Sequence, residues 1–420
     1  MRKVFTNKNF SLLFFGNLVS SIGNTFYNFG IGWFILALTG SAFQAGLYLA
    51  TGGLVSLLLT PFCGVLADRF NKVKIVYITD FIRGIAIVGA GYFISQDLDI
   101  STTMIVLYTA TIILSVNQAL FGPAVSSLQV DIVDEEDLQA ANATMSMIRS
   151  LQGIIGLTLG GVLYEALGIN WIFIINGLTF ILSGISEMFI KHAYKKSDEK
   201  LTVKAGFDDL KVGLKYLVNK KGLMSLMVGI MFLNFAFIPL FVNGFPYMFN
   251  QLLKTSAFEY SIVQISVSVG TLIGAIIIGN IANRISVIKS QYTGLPLMSL
   301  IFIVIAILFN FVLNGIIEFN LFYGLIIGLM LIEGILNMYI NIPIGTAFAI
   351  SIDKEYRGRA YSVIETMGRA AIPLATLLGG FLIEVAGLEV LLVSSISIIF
   401  LIMIFFMTNK NIRNYLKSVD

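Results

Sequence analysis

An all-α membrane protein of twelve transmembrane helices, arranged as two pseudo-symmetric six-helix bundles, is the fold this sequence predicts. Three observations carry that prediction. Of the 420 residues, 57% are hydrophobic and only 12% are charged, with a mean hydropathy of +0.89; a soluble domain carries about 25% charged residues. Apolar runs of the roughly 20 residues needed to cross a bilayer follow one another along the chain. The charged string Gly64-Val-Leu-Ala-Asp-Arg69-Phe-Asn-Lys72-Val-Lys74 is also echoed, 215 residues on, by Gly279-Asn-Ile-Ala-Asn-Arg284. Two related halves around a central site is a common plan for secondary transporters.

The elements can be marked off in order. Met1-Arg-Lys leads through Asn7-Lys-Asn into an apolar stretch far longer than a signal-peptide core, so the first span is expected to remain in the protein. Spans are expected at 10–38, 42–67, 75–95, 103–130, 140–166 and 170–190, then at 222–250, 257–282, 288–313, 320–350, 360–386 and 388–408. This divides the chain into an N-terminal bundle (1–190), a linker (191–221), a C-terminal bundle (222–408) and a tail (409–420). In the linker Phe207, Leu210, Leu214 and Leu217 recur at helical spacing, with Asp208 and Asp209 at the start and Lys211 and Lys215 alongside. That pattern predicts an amphipathic helix on the inner membrane surface, tethering the two bundles.

Charge placement sets the expected orientation. With the N-terminus inside, all but four of the 27 Lys and Arg residues fall on the inner side; the exceptions are Arg83, Arg149, Lys254 and Arg369. Such asymmetry places both termini in the cytosol of a cell membrane, expected to be a bacterial inner membrane. The duplication also extends beyond the loop. Asp134 to Gly168 aligns with Asp353 to Gly387 at a constant offset of 219, which matches Leu159-Gly-Gly161 with Leu378-Gly-Gly380 and Glu165 with Glu384. Six spans per half make these parallel repeats, related by an axis along the membrane normal.

Polar groups within spans are costly in lipid and usually face the interior. In the first span Asn17, Ser21, Asn24 and Asn28 share one helical face, and in the tenth Glu333, Asn337 and Asn341 do the same. The fourth span adds Asn117 and Gln118; the seventh adds Asn234, with Pro239 and Pro246 able to bend it. Glu333 lies about 20 Å into its span at 1.5 Å per residue, with no base within a turn, and a carboxyl so placed suits proton uptake and release. Asp80 with Arg83 and Glu365 with Arg369 read as buried charge pairs of structural or gating use, while Arg149 needs a partner on another helix. Glycines 153, 156, 160 and 161 in the fifth span, and 379 and 380 in the eleventh, allow close helix packing.

These residues resemble the major facilitator superfamily over essentially the whole chain. Gly64 to Lys74 is similar to that family's loop motif between spans two and three, departing at Asn71, where Gly is usual, and at Val73, where a base is usual. Leu38-Thr-Gly-Ser41, Asp80-Phe-Ile-Arg83, Phe121-Gly-Pro-Ala124, Glu136-Asp-Leu-Gln-Ala-Ala-Asn142 and Asn176-Gly-Leu-Thr-Phe180 resemble the branch of macrolide-efflux proteins and the enterobactin exporter. The resemblance implies a gating motif of Gly64, Asp68, Arg69 and Lys72, in which Asp68 meets the start of span eleven and Arg69 meets Asp131. Gly64 is expected to let helices approach closely, and Asn283 in place of an acid makes the second copy the weaker lock. Spans one, four, seven and ten line the cavity in the resembled fold. That assigns the cavity to Asn24, Asn28, Asn117, Gln118, Asn234, Asn337 and Asn341. Many relatives carry an acid near Asn24, and the family's antiporter motif has Gly-Pro where Gly156 is followed by Leu157.

The function these features support is a secondary active transporter exporting a lipophilic small molecule, such as an antibiotic, against an inward proton flow. Sparse cavity charge suits neutral or weakly cationic cargo, and 34 phenylalanines supply apolar lining. A siderophore exporter or a lysophospholipid transporter is the alternative, and a non-transporting membrane sensor is the reading from another class. The single cysteine, Cys63, excludes an internal disulfide and any cysteine metal cage. The chain shows no metal-ligand cluster, no nucleophile beside a base and no Walker loop, so no enzyme, cofactor or nucleic-acid partner is expected. The expected state is a monomer in the lipid bilayer, with a small-molecule substrate and a coupling proton or other ion as partners.

Overall fold

The computed structural model describes residues 2–192, 203–281, 284–353 and 355–419. Its long helices are α1 (Lys8–Thr39), α2 (Ala42–Arg69), α3 (Lys72–Ile94), α4 (Ile100–Ile132), α5 (Leu138–Leu151, Gln152–Gly156 and Leu157–Leu167) and α6 (Ile169–Met188). After a linker helix, Val203–Asn219, come α7 (Lys221–Pro239 continuing to Leu252), α8 (Ala257–Ile281), α9 (Val287–Leu313), α10 (Phe319–Ser351), α11 (Arg357–Ala386) and α12 (Leu388–Thr408). A tail helix, Lys410–Val419, follows. Among the described residues ten of the twelve are long and apolar enough to cross a membrane by composition alone. The other two are α1 and α3. α1 runs 32 residues and carries its asparagine and serine stripe, and α3 runs 23 and carries Lys72, Lys74, Asp80 and Arg83.

Local sequence explains where the helices begin and end. Asn7 caps α1, its side chain accepting from the amides of Asn9 and Phe10, and Gly40 closes the helix at φ 66°. Asn71, the departure from the loop motif, caps α3 by accepting from the Lys74 amide at 3.1 Å. Ser286, 215 residues later, caps α9 in the same way, accepting from Lys289 at 3.2 Å. A side-chain oxygen at this position satisfies one of the amides a helix start leaves bare, which glycine cannot do. Pro239 and Pro246 interrupt α7, where π-helical turns at Leu240–Gly244 and Met248–Leu252 flank a short α segment. A wider turn relieves the carbonyl clash and missing donor that proline brings.

The duplication is visible in the backbone. The helix α4 (Ile100–Ile132) and its counterpart α10 (Phe319–Ser351) start and stop at the same offset of 219, as do α5, from Leu138 to Leu167, and α11 (Arg357–Ala386). Gly168 (φ 79°, ψ 176°) and Gly387 (φ 87°, ψ 167°) make the same turn into α6 and α12. That conformation is essentially confined to glycine.

Residues cluster into two compact units: 1–40, 48–206 and 256–261 in the first, and 41–47, 207–255 and 262–420 in the second. In the first, α6 is held by both α1 and α3. Gly16, Gly23 and Gly30 recur every seventh residue along α1, and a Cβ on Gly23 would lie 2.1 Å from the Thr179 hydroxyl of α6. Gly84 of α3 and Gly177 of α6 meet backbone to backbone, each 2.9–3.0 Å from the other's carbonyl as measured from an added Cβ. The expected close packing is also present at Gly156 on Thr25, Gly160 on Phe29 and, in the second unit, Gly379 on Pro239. Also in the second unit, the linker helix docks on α11: Gly213 lies against the Arg359 backbone, and Tyr216 stacks on Tyr356 with centroids 4.6 Å apart. Large apolar side chains such as Leu58, Ile85, Phe400 and Val385 point outward, as a surface facing lipid tails requires.

Candidate transport site

The loop motif lies at the junction of α2 and α3. Arg69 is exposed at the end of α2. Asp131, at the end of α4, receives Lys72 at 2.6 Å and faces His192 Nε2 at 3.5 Å. The resemblance had assigned Asp131 to Arg69; the structure brings Lys72, the first residue of α3, to it. Among the described residues no heavy atom lies within 4 Å of where a Cβ on Gly64 would be, and the same holds at Gly279. The side chains of Asp68, Arg149 and Arg369, and all of Asn283, lie outside what the structure describes.

The asparagine stripes are half-open. Asn24 is partly exposed and Asn28 exposed on α1. On α10 Asn341 is exposed and its amide donates to Asn337 Oδ1 at 3.0 Å, so the two side chains act as a linked pair. Asn234 on α7 borders a pocket of about 40 Å³ in the second unit, lined also by Met227, Ile230, Met231, Phe348 and Met367.

Asn117 and Gln118, adjacent in sequence, part company. Asn117 is buried and its amide donates to the Ile113 carbonyl at 2.7 Å, a bond internal to its helix. Gln118 is exposed, yet its oxygen accepts from Arg83 Nη1 at 2.9 Å. Consecutive residues are about 100° apart around a helix, so only one of the two can share a given face.

Two sets of buried acids stand apart. Glu333 on α10 is 2% exposed, and its Oε2 has no hydrogen-bond partner among the described residues. The adjacent Gly334 is pressed against the Val267 carbonyl of α8. In the first unit Arg83 bonds Asp80 and lies over the rings of Phe121 at 4.1 Å and Phe180 at 4.6 Å. Glu187 of α6, which the sequence reading passed over, completes this group at 0% exposure, its Oε1 accepting from Ser183 at 3.4 Å. By contrast Glu365 is exposed, on a polar face of α11 shared with Ser362 and Thr366. Depth along a span does not imply burial in protein, since a helix face that carries hydroxyls can be left open.

Comparison with known proteins follows this geometry. The chain is 29% identical over 293 residues to the MFS-type transporter YkuC of Bacillus subtilis, covering 65% of each chain. It is 24% identical over 388 residues to macrolide efflux protein A of Streptococcus pyogenes, covering 90% of each. In three dimensions it is similar to a bacterial homologue of the iron transporter ferroportin in an inward-facing state, with a TM-score of 0.72 at 16% identity over 95% of this chain and 98% of that one. The Major Facilitator Superfamily pattern matches residues 13–341, and with its run of apolar helices the chain belongs to that family of multi-pass membrane transporters.

Proposed function

We propose that the protein is a proton-driven exporter of a lipophilic small molecule, working by alternating access with both termini in the cytosol. The observation that carries the coupling is Glu333, a carboxyl buried near the middle of α10 with one oxygen lacking any donor among the described residues. Burying an unpaired carboxylate is expensive, while burying the neutral acid costs far less. A proton therefore rides with the buried state and leaves when water reaches the site. Asn337, one turn along the same helix, and its partner Asn341 form the polar edge that orients cargo. Efflux is favoured by the likeness to macrolide efflux protein A. One charge moving across 100 mV is worth about 2.3 kcal/mol, enough for a cargo gradient of roughly 50-fold.

The test is Glu333→Gln in proteoliposomes, with a fluorescent lipophilic cation and a macrolide as trial cargoes. Uphill, pH-driven accumulation is expected to disappear while cargo binding and downhill exchange persist. Normal pH-driven accumulation by the variant would make Glu333 a packing residue and move the coupling elsewhere.

A further inference from the structure

The first unit holds a second buried group that export coupled through Glu333 does not use. Asp80 and Glu187 are both 0% exposed and Arg83 is 4% exposed, so two carboxyls and one guanidinium are enclosed together. Arg83 makes three side-chain bonds: to Asp80, to Gln118 Oε1 at 2.9 Å and to the Thr79 carbonyl at 3.4 Å. Asp80 and Glu187 come from packed neighbours: an added Cβ on Gly184, one turn before Glu187 on α6, would lie 3.4 Å from the Asp80 Cβ, and Ser183 donates to Glu187 Oε1 at 3.4 Å. Even so, Asp80 Oδ2 and Glu187 Oε2 are each buried without a partner among the described residues.

Charge and donors fail to balance in the same direction. One guanidinium neutralises one carboxylate, and a second carboxylate beside it would be an uncompensated buried charge. Two neighbouring carboxyls whose oxygens lack donors are both satisfied if a single proton sits between them, since a protonated acid is the only donor a carboxyl can offer. Among the described residues no further charge changes this count. Arg83, Asp80 and Glu187 are the charged groups acting on one another here. Lys8, Lys72 and Asp131 sit at helix ends, and the last two pair with each other. On α1 the residue against Glu187 is Gly16, and on α4 it is Gln118 and Phe121 that meet Arg83.

We propose that Asp80 and Glu187 share one exchangeable proton, forming a proton-binding site in the first unit that is separate from Glu333. Gln118 is exposed and bonded to Arg83, so it marks where the enclosed group reaches the surface. Deprotonation passes the proton to water there and leaves two carboxylates against one guanidinium. Reprotonation from water restores neutrality. Being a coupled pair, the site titrates as a unit rather than as two independent acids.

The experiment is infrared difference spectroscopy on purified protein carrying Glu333→Gln, so that Glu333 contributes to no arm and its own role is not at issue. A protonated-carboxyl absorption is expected at neutral pH, shifting in heavy water and bleaching reversibly in alkali. Adding Glu187→Gln or Asp80→Asn is expected to abolish it, because the remaining acid then pairs with Arg83 as a carboxylate. Alkalinisation should also release one proton fewer from either double variant. Absence of the band in the Glu333→Gln protein, or its survival in both double variants, would overturn the proposal. Should the double variants fail to insert, carboxyl-labelled aspartate and glutamate in the Glu333→Gln protein decide the same question. A band that moves with both labels supports sharing, and one that moves with neither refutes it.

Discussion

Gly168 and Gly387 show how far a single residue can be constrained by the backbone alone. Both sit at φ near 80° with extended ψ, and nothing among the described residues lies within 4 Å of an added Cβ. A side chain there is penalised by the backbone conformation and not by its neighbours. Gly168→Ala and Gly387→Ala are each expected to destabilise their unit by about 1–3 kcal/mol, read as a fall in the detergent-solubilised melting temperature. Melting at the wild-type temperature in both variants would show that the turn relaxes freely. At Glu333 the sequence signalled an acid isolated from bases on its own helix, and the structure buries it. Residue-level reading failed at Glu187, which lies next to the end of its helix and reads as an interfacial charge. Burial there comes from α1 and α3 closing over α6, and only the three-dimensional packing reveals that.

Among elements, the asparagine stripes on α1 and α10 are the clearest case of helical periodicity anticipating exposure. The period of 3.6 residues put Asn24 with Asn28 and Asn337 with Asn341, and all four are at least partly exposed. Cysteines placed singly at these positions in a Cys63→Ala background are expected to react with a membrane-impermeant maleimide and to be protected several-fold by cargo. Inert thiols at all four positions would reduce the stripes to helix-packing contacts. Periodicity was less informative for α4, where Asn117 turned inward and Gln118 outward. It could not foresee the π turns of α7, because a proline signals an interruption without specifying how the chain accommodates it. The seven-residue spacing of Gly16, Gly23 and Gly30 was present in the sequence, but α1's polar stripe drew the eye to the opposite face.

For the whole molecule the duplication was legible from one charged loop, and helix ends matching at a fixed offset extend it to the backbone. What the loop does mechanically was less legible, since its partners come from helices distant in sequence. In the second copy the Asp position is already occupied by Asn283. Asp68→Asn thus makes both copies alike and removes the one acid that distinguishes them. Transport is expected to fall at least tenfold while surface expression is retained, checked by cargo efflux from cells with the amount in the membrane measured in parallel. Efflux at the wild-type rate would leave the motif with a topological role only.

The glycine seam between α1 and α6 also bears on biogenesis. The first helix of the unit finds its close partner in the last, and α3 leans on that same last helix through Gly84 and Gly177. While the ribosome is still making α2 to α5, the grooves on α1 and α3 have nothing to fill them, and the emerging bundle must wait in lipid half-assembled. Synthesis of Ile169–Met188 is the step that closes the ring. Until then the nascent chain depends on the insertion machinery or on lipid to cover those grooves.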